Sequence, residues 1–197
     1  RVRVRLNEVA QRFAPGHRVR LAISSSYWPL AWPAPEPARL TLYTEHCRLL
    51  LPVRSPRELD ARLRDLGEPR CDPAPPTTLI APAEREWTVR HNLATNEVVL
   101  DVVNNDACLR LDDIDLTLSR NIREQFAYKN NLYDTLRAEA VHERRLERGD
   151  WRILTVTRTV LSATRTHFLL RATLDAYEGD VRVYSRSWDE AIARDLV

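Results

Sequence analysis

Residues 148–188 read RGDWRILTVTRTVLSATRTHFLLRATLDAYEGDVRVYSRSW. The stretch contains three long runs in which apolar and polar residues alternate, and Gly-Asp pairs at 149–150 and 179–180 precede the first and the third of them. Alternation indicates strands with one buried face, because successive side chains point to opposite sides of a sheet. Connections this short join antiparallel strands, since parallel strands need crossovers of a dozen or more residues. The stretch therefore predicts an antiparallel β-meander.

The meander is expected to extend towards the N-terminus. Residues 87–89 are predicted to pair with residues 98–102 across a short turn at 94–96. The alternating apolar positions of this region are Trp87, Val89, Val98, Leu100, Val102, Ile114, Leu116, Leu118, Leu136, Ala138 and Ala140. Residues 124–133 favour no single state. We therefore expect residues 86–197 to form a C-terminal antiparallel β-meander in an all-β protein.

Alternation also marks the N-terminal part of the chain. Its apolar positions are Val2, Val4 and Leu6, then Val19, Leu21 and Ile23, then Ala38, Leu40 and Leu42. These three sets predict three strands within residues 1–43. The chain opens inside the first set and contains no methionine. We therefore expect a fragment of a longer protein.

Residues 55–85 read as a helix followed by a proline-rich connector. Ser55 suits the N-cap and Pro56 the first helical position, and Leu59, Leu63 and Leu66 follow at helical spacing up to Gly67. One short amphipathic helix is expected over 55–66. Five prolines follow, at Pro69, Pro73, Pro75, Pro76 and Pro82, and they predict a connector between two modules.

Composition excludes several classes of function. Net charge is +2, with basic and acidic residues interspersed, so the field that concentrates nucleic acid is missing. No apolar run approaches the roughly 20 residues of a membrane-spanning helix. Cys47, Cys71 and Cys108 are odd in number and irregularly spaced, which argues against a disulfide framework and favours a cytoplasmic setting. We expect neither nucleic acid nor membrane as a partner.

No catalytic or cofactor-binding constellation stands out in the sequence. None of the four glycines flanks a serine in a G-x-S-x-G elbow, and His142-Glu143 lacks the second histidine of a zinc motif. Asp112, Asp113 and Asp115 lack the glycine and glutamate of a calcium loop. We therefore predict no catalytic residue, no cofactor and no metal ligand.

The aromatic residues Tyr27, Trp28 and Trp32 are the strongest candidate for a functional contact. They lie among four prolines in residues 27–37, where missing backbone donors prevent a continuous ladder. The leading interpretation is that the rings pack the loop onto the β-structure or onto a neighbouring domain. Two alternatives remain, a wall of a substrate pocket and a platform on which a sugar ring stacks.

The stretch FAPGHRVRLAISSSYWP at 13–29 resembles the C-terminal β domain of the cocaine-esterase and X-Pro dipeptidyl-peptidase family of bacterial serine hydrolases. Residues 148–151, 174–180 and 188–197 resemble the tail of longer family members. The resemblance implies an upstream α/β-hydrolase domain with a Ser-His-Asp triad, followed by a jelly roll similar to galactose-binding modules. No residue of that triad can be placed on this sequence.

In the resembling family the Pro-Gly-His-Arg strand comes late in the jelly roll. The resemblance thus implies that residues 1–54 are terminal strands of a jelly-roll β-sandwich. Separated from their partners, such strands keep open edges that invite pairing with a second copy, so a homo-oligomer is expected of the isolated piece.

The expected function is that of a non-catalytic C-terminal domain of a serine hydrolase, either an acyl esterase or an X-Pro dipeptidyl-peptidase. The domain would pack on the catalytic domain and shape its pocket or its oligomer contacts. The alternative is a carbohydrate-binding module that uses Tyr27, Trp28 and Trp32. A self-standing structural protein is the third hypothesis.

Overall fold

In a computed structural model, which describes residues 2–36 and 39–195, nine strands form one antiparallel sheet. The strands are β1 (Thr77–Ala81), β2 (Glu84–Asn92), β3 (Glu97–Asn105), β4 (Cys108–Leu111), β5 (Leu116–Lys129), β6 (Arg137–Arg148), β7 (Trp151–Ala163), β8 (His167–Glu178) and β9 (Val181–Ala193). Every neighbouring pair is antiparallel. The predicted all-β class and the antiparallel meander are confirmed.

The strand order is β1-β4-β5-β6-β7-β8-β9, and β3 lies beside β5 with β2 beyond it. β1 and β2 follow each other across Pro82 and pair with β4 and β3, respectively. The two strands therefore form one long edge of the sheet. This edge is interrupted at Pro82, because proline has no N–H to donate to a ladder. β1 lies inside the stretch 55–85, where the prolines predict a connector.

The predicted hairpins form. Val89 lies opposite Leu100 and Trp87 opposite Val102, which confirms the pairing across the turn at 94–96. Gly149 and Gly179 begin the turns β6–β7 and β8–β9, each with φ of +56°. Two-residue hairpin turns of this kind require positive φ, which glycine adopts without steric cost.

The helical content of the described residues is limited to 3₁₀ turns, at Thr44–His46, Glu58–Arg62, Asp112–Ile114 and Tyr133–Thr135. The predicted helix over 55–66 is therefore wrong. Leu63 and Leu66 are 74% and 98% exposed, so no packed face stabilises a helix that is too short to persist alone. Residues 124–129, which the sequence left unassigned, complete β5.

The predicted strands of residues 1–43 do not join a ladder in this structure. The described residues of 2–76 form one isolated bridge, between Tyr27 and Ala31, and Ala38 lies outside the described residues. A strand exists through hydrogen bonds to a neighbour, and no neighbour is present for these segments in the described part of the chain. The jelly-roll assignment of residues 1–54 stays a prediction.

The sheet is a single layer with a large exposed surface. The accessible area of the whole chain, to which the exposed residues of 2–76 contribute, is 17221 Å², whereas a compact monomer of this mass exposes about 9,600 Å². Among the described residues, the buried apolar side chains are Val102, Leu136 and Ala163. No helix of the described residues has the length and apolarity needed to cross a bilayer. Most apolar side chains therefore keep one side in water.

The two faces of the sheet differ in chemistry. We call one the apolar face, because a row of adjacent residues across five strands is apolar, namely Leu100, Phe126, Ala138, Leu161 and Leu170. The other, the charged face, carries the next row, namely Asp101, Gln125, Glu139, Val160 and Arg171. Ion pairs such as Glu139 with Arg158 lie on the charged face.

Candidate functional site

A tight loop holds the aromatic residues. Backbone hydrogen bonds join Tyr27 and Ala31 in both directions, at 3.1 Å from the Tyr27 N–H and 2.7 Å from the Ala31 N–H. The peptide bond between Trp28 and Pro29 is cis. The bridge places Trp28 within the loop and Trp32 directly after it, so the two indoles lie on neighbouring sides of one compact turn.

The two indoles pack on the apolar face of the sheet. The rings of Trp28 and Trp32 are 4.8 Å apart at 77°. Trp28 meets Phe126 of β5 at 6.0 Å, and Trp32 meets Phe168 of β8 at 5.5 Å, both nearly perpendicular. Edge-to-face pairs of this kind add about 0.5–1.5 kcal/mol each beyond the area they bury. The loop is therefore docked onto the sheet by an aromatic cluster, defined as Trp28, Trp32, Phe126 and Phe168.

A buried arginine packs beside the aromatic cluster. Arg194 follows β9 and is only 7% exposed. Its Nη2 donates to the Pro33 carbonyl at 2.5 Å, its Nη1 donates to the Thr164 carbonyl at 3.2 Å, and its guanidinium lies 4.6 Å from the centre of the Phe168 ring. A buried cation needs such partners to offset its lost hydration. Arg194 thus ties together the loop, the β7–β8 turn and the end of β9.

The surroundings of the cluster reinforce the contact. Two of the most buried apolar residues described are Ala163, which ends β7 opposite Phe168, and Leu136, which directly precedes β6. The guanidinium of Arg165 also pairs with Glu36 of the loop. The sheet is therefore best packed where the loop covers it.

The structure separates the three residues that the sequence grouped. Trp28 and Trp32 are half-buried against the sheet, whereas the side chain of Tyr27 is exposed, at 68% for the residue. A sugar platform needs free ring faces that lie roughly side by side, and these two indoles are nearly perpendicular to each other. The geometry supports the packing interpretation more than the platform.

Two shallow cavities lie away from the aromatic cluster. One, of about 390 Å³, is lined by Asp106, Leu118, Ser119, Arg120, Arg144 and Leu146. The other, of about 340 Å³, lies beside the β6–β7 and β8–β9 turns. Nε of Arg120 is 2.7 Å from Asp106, and hydrogen bonds from Arg120 and Arg85 lower the pKa of that carboxyl. These side chains form an ion-pair network on the sheet surface.

The serine-rich end of the 13–29 stretch and Asp112 have structural partners. The Ser24 hydroxyl donates to the Ser26 carbonyl at 2.8 Å. Asp112 accepts from Arg110 and Thr78, and these hydrogen bonds lower its pKa. No group of three or more metal-ligating side chains exists among the residues that the structure describes. In the described chain these residues stabilise turns and strand ends.

Sequence reasoning did not identify the residues of the sheet that contact the aromatic loop. Phe126 lies in the segment without an assigned state, and Phe168 opens a strand like any other aromatic residue. Arg194 is one of many arginines, and a local pattern does not distinguish a buried one. The usable signal was the aromatic content of the loop, which required apolar partners on some neighbouring surface.

Comparison with known proteins gives one match. Residues 1–80 match the protein-family model described as the X-Pro dipeptidyl-peptidase C-terminal non-catalytic domain. No match is found among curated proteins or solved structures. The matched segment contains the aromatic loop and ends inside β1, so the loop's contacts with Phe126 and Phe168 join the matched part to the remainder of the sheet. Residues 1–80 of the chain are thus similar to the C-terminal non-catalytic domain of X-Pro dipeptidyl-peptidases, as the resemblance at 13–29 led us to expect.

Proposed function

We propose that this chain is the non-catalytic C-terminal region of a serine hydrolase whose α/β-hydrolase domain lies elsewhere in the same polypeptide. The match of residues 1–80 to a non-catalytic C-terminal domain carries this proposal. The parent activity is hydrolysis of an activated acyl ester or of an X-Pro dipeptide, as the family resemblance implies. Catalysis by a Ser-His-Asp triad then belongs to the hydrolase domain.

The role we propose for the chain is to pack on the hydrolase domain and shape its pocket or its oligomer contacts. The contact of Trp28 and Trp32 with the sheet supports this, because it holds the aromatic loop of the matched segment on the sheet. Arg194 adds a polar connection between the same two parts. A hydrolase domain that holds the aromatic loop would therefore also position the sheet.

The experiment compares two proteins on the same substrates. The 197-residue chain and the polypeptide that carries it with its hydrolase domain are assayed with p-nitrophenyl esters and with X-Pro p-nitroanilides. We expect turnover from the longer protein alone, abolished when the serine of its hydrolase domain is replaced by alanine. Turnover by the 197-residue chain that disappears in the Ser24→Ala, Ser25→Ala, Ser26→Ala variant would overturn the proposal.

A further inference from the structure

The two edges of the apolar face remain uncovered beyond the aromatic loop. Trp87 is 75% exposed and Val89 is 69% exposed, although both point to the same face as Phe126. At the opposite edge, Tyr184 and Ile192 are about half exposed on this face. Large apolar side chains exposed at both edges of one face mark a candidate interaction surface in a folded protein.

The area to be covered is large. The accessible surface of 17221 Å² exceeds that of a compact monomer by about 7,600 Å², whereas a standard protein–protein interface removes about 1,600 Å² in total. A single small contact cannot bring the exposed area into the usual range. The excess belongs both to the described residues of 2–76, most of which are exposed, and to the sheet, so both have surface that a compact fold would cover.

The segments on both sides of the loop have the chemistry of a covering layer. Before the loop, Val19, Leu21 and Ile23 are each a little over half exposed and alternate with polar residues. After it, Leu40 and Leu42 repeat the pattern with similar exposure. Alternating strands bury one face against a second sheet about 10 Å away. These segments therefore lack a surface that they are patterned to cover.

The loop limits where that second layer can lie. Ile23 is five positions before Trp28 and Leu40 is eight positions after Trp32, so the chain reaches at most about 18 Å and 29 Å from the docked indoles. The sheet is about 34 Å across and its long strands are about 43 Å long. A β-layer that contains both segments must therefore lie against or directly beside the apolar face.

We infer that the β-domain matched by residues 1–80 packs its apolar side on the apolar face of the sheet, with Trp28 and Trp32 as the first part of that interface. This rests on the proposed function, because it takes the matched segment to fold as the family's non-catalytic domain. The outward positions of the layer are then basic, since Arg18 and Arg20 alternate with Val19 and Leu21. The charged face of the sheet stays in water.

The test measures cysteine labelling on the two faces of one strand. Val89→Cys and Thr88→Cys are made in the longer polypeptide with Cys47, Cys71 and Cys108 replaced by alanine. Both positions lie on the edge strand β2, with Val89 on the apolar face and Thr88 on the charged face. We expect maleimide to label Val89→Cys at least tenfold more slowly than Thr88→Cys, at a rate independent of protein concentration.

Equal labelling rates at the two positions would overturn this packing. Protection of Val89→Cys that appears only as the protein concentration rises would also overturn it, because a second copy would then be the cover. Hydrolase activity is measured on the same samples. Retained hydrolase activity together with rapid labelling at Val89→Cys would refute the packing and leave the proposed function standing. Inactivity of the unmodified longer polypeptide would instead refute the proposed function.

Discussion

Residues 77–193 and the described part of residues 2–76 share the same alternation of apolar and polar residues, yet only the first region forms a sheet. In the sheet, most long strands are joined to their neighbours by short local connections. In the N-terminal region the alternating sets are separated by long or proline-rich stretches, and partners must come from elsewhere. Alternation thus indicates that a segment suits a sheet, whereas local connections decide whether it finds a partner.

The two regions meet at the aromatic cluster. Trp32→Ala should weaken this contact and give the largest loss of stability. Removing the indole leaves a void against Phe168, and large-to-alanine changes at packed sites cost about 3 kcal/mol. The free energy of unfolding, measured in urea, should fall by about this amount. Tyr27→Ala is the matched control, and its exposed side chain should contribute less than about 0.5 kcal/mol. Equal effects from the two variants would contradict the docking of the loop.

Arg194 should contribute next. Arg194→Ala leaves the Pro33 and Thr164 carbonyls without their donor, and hydrogen bonds to a charged group are worth about 2 kcal/mol. Arg194→Lys should recover only part of the loss, because an ammonium cannot span both carbonyls and stack on Phe168. The control is Arg182→Ala on the exposed surface of β9. If Arg194→Ala lowered the free energy of unfolding in urea no more than this control, the contacts of Arg194 with Pro33 and Thr164 would not be formed.

The charged face should respond to acid. Glu139 accepts from Arg158 and Arg137 at 2.6 Å and 2.5 Å, and the hydrogen bond from Arg158 is the main reason that its pKa lies below the ordinary 4.5. A pKa lowered by folding stabilises the protein above the unfolded value, and this stabilisation is lost as pH falls through the folded value. Glu139→Gln should cost about 1 kcal/mol at pH 7 and make stability less dependent on pH below 4.5.

Thermal unfolding between pH 7 and pH 3 measures this effect. Glu124→Gln is the control, because Glu124 lies on the apolar face in the next row of β5 and β6. As the pH falls to 3, the melting temperature of Glu139→Gln should converge with that of wild type. No such convergence is expected for Glu124→Gln. A constant difference at every pH would mean that the carboxylate's charge is not what stabilises the fold.

The smallest effect is expected at a cross-strand pair of like charges. Arg120 of β5 lies opposite Arg144 of β6 on the apolar face, and like charges in this position are mildly repulsive. Arg144→Glu should raise the free energy of unfolding by about 0.5 kcal/mol, and Arg144→Gln by roughly half of that. The gain should shrink at high salt. A loss of stability in low salt would show that Arg144 is already compensated.

Sequence reasoning predicted the parts of the fold that depend on neighbours along the chain. The pairing of residues 87–89 with residues 98–102 follows from a short turn, and the hairpins at Gly149 and Gly179 follow from Gly-Asp pairs beside alternating runs. The helix over 55–66 failed because capping and spacing cannot replace a packed face. Phe126 and Arg194 acquire their roles from contacts with a loop far away in sequence, which no local pattern records.

Backbone hydrogen exchange on the 197-residue chain tests the central claim most directly, namely that alternation becomes a stable ladder in residues 77–193 and needs outside partners in residues 2–76. We predict slow exchange for the inner strands β5–β8 and for the bridged amides of Tyr27 and Ala31, with rapid exchange at Val19–Ile23 and Leu40–Leu42. Slow exchange at Val19–Ile23 in a monomeric sample would contradict the account, because those strands would then have found partners within this chain.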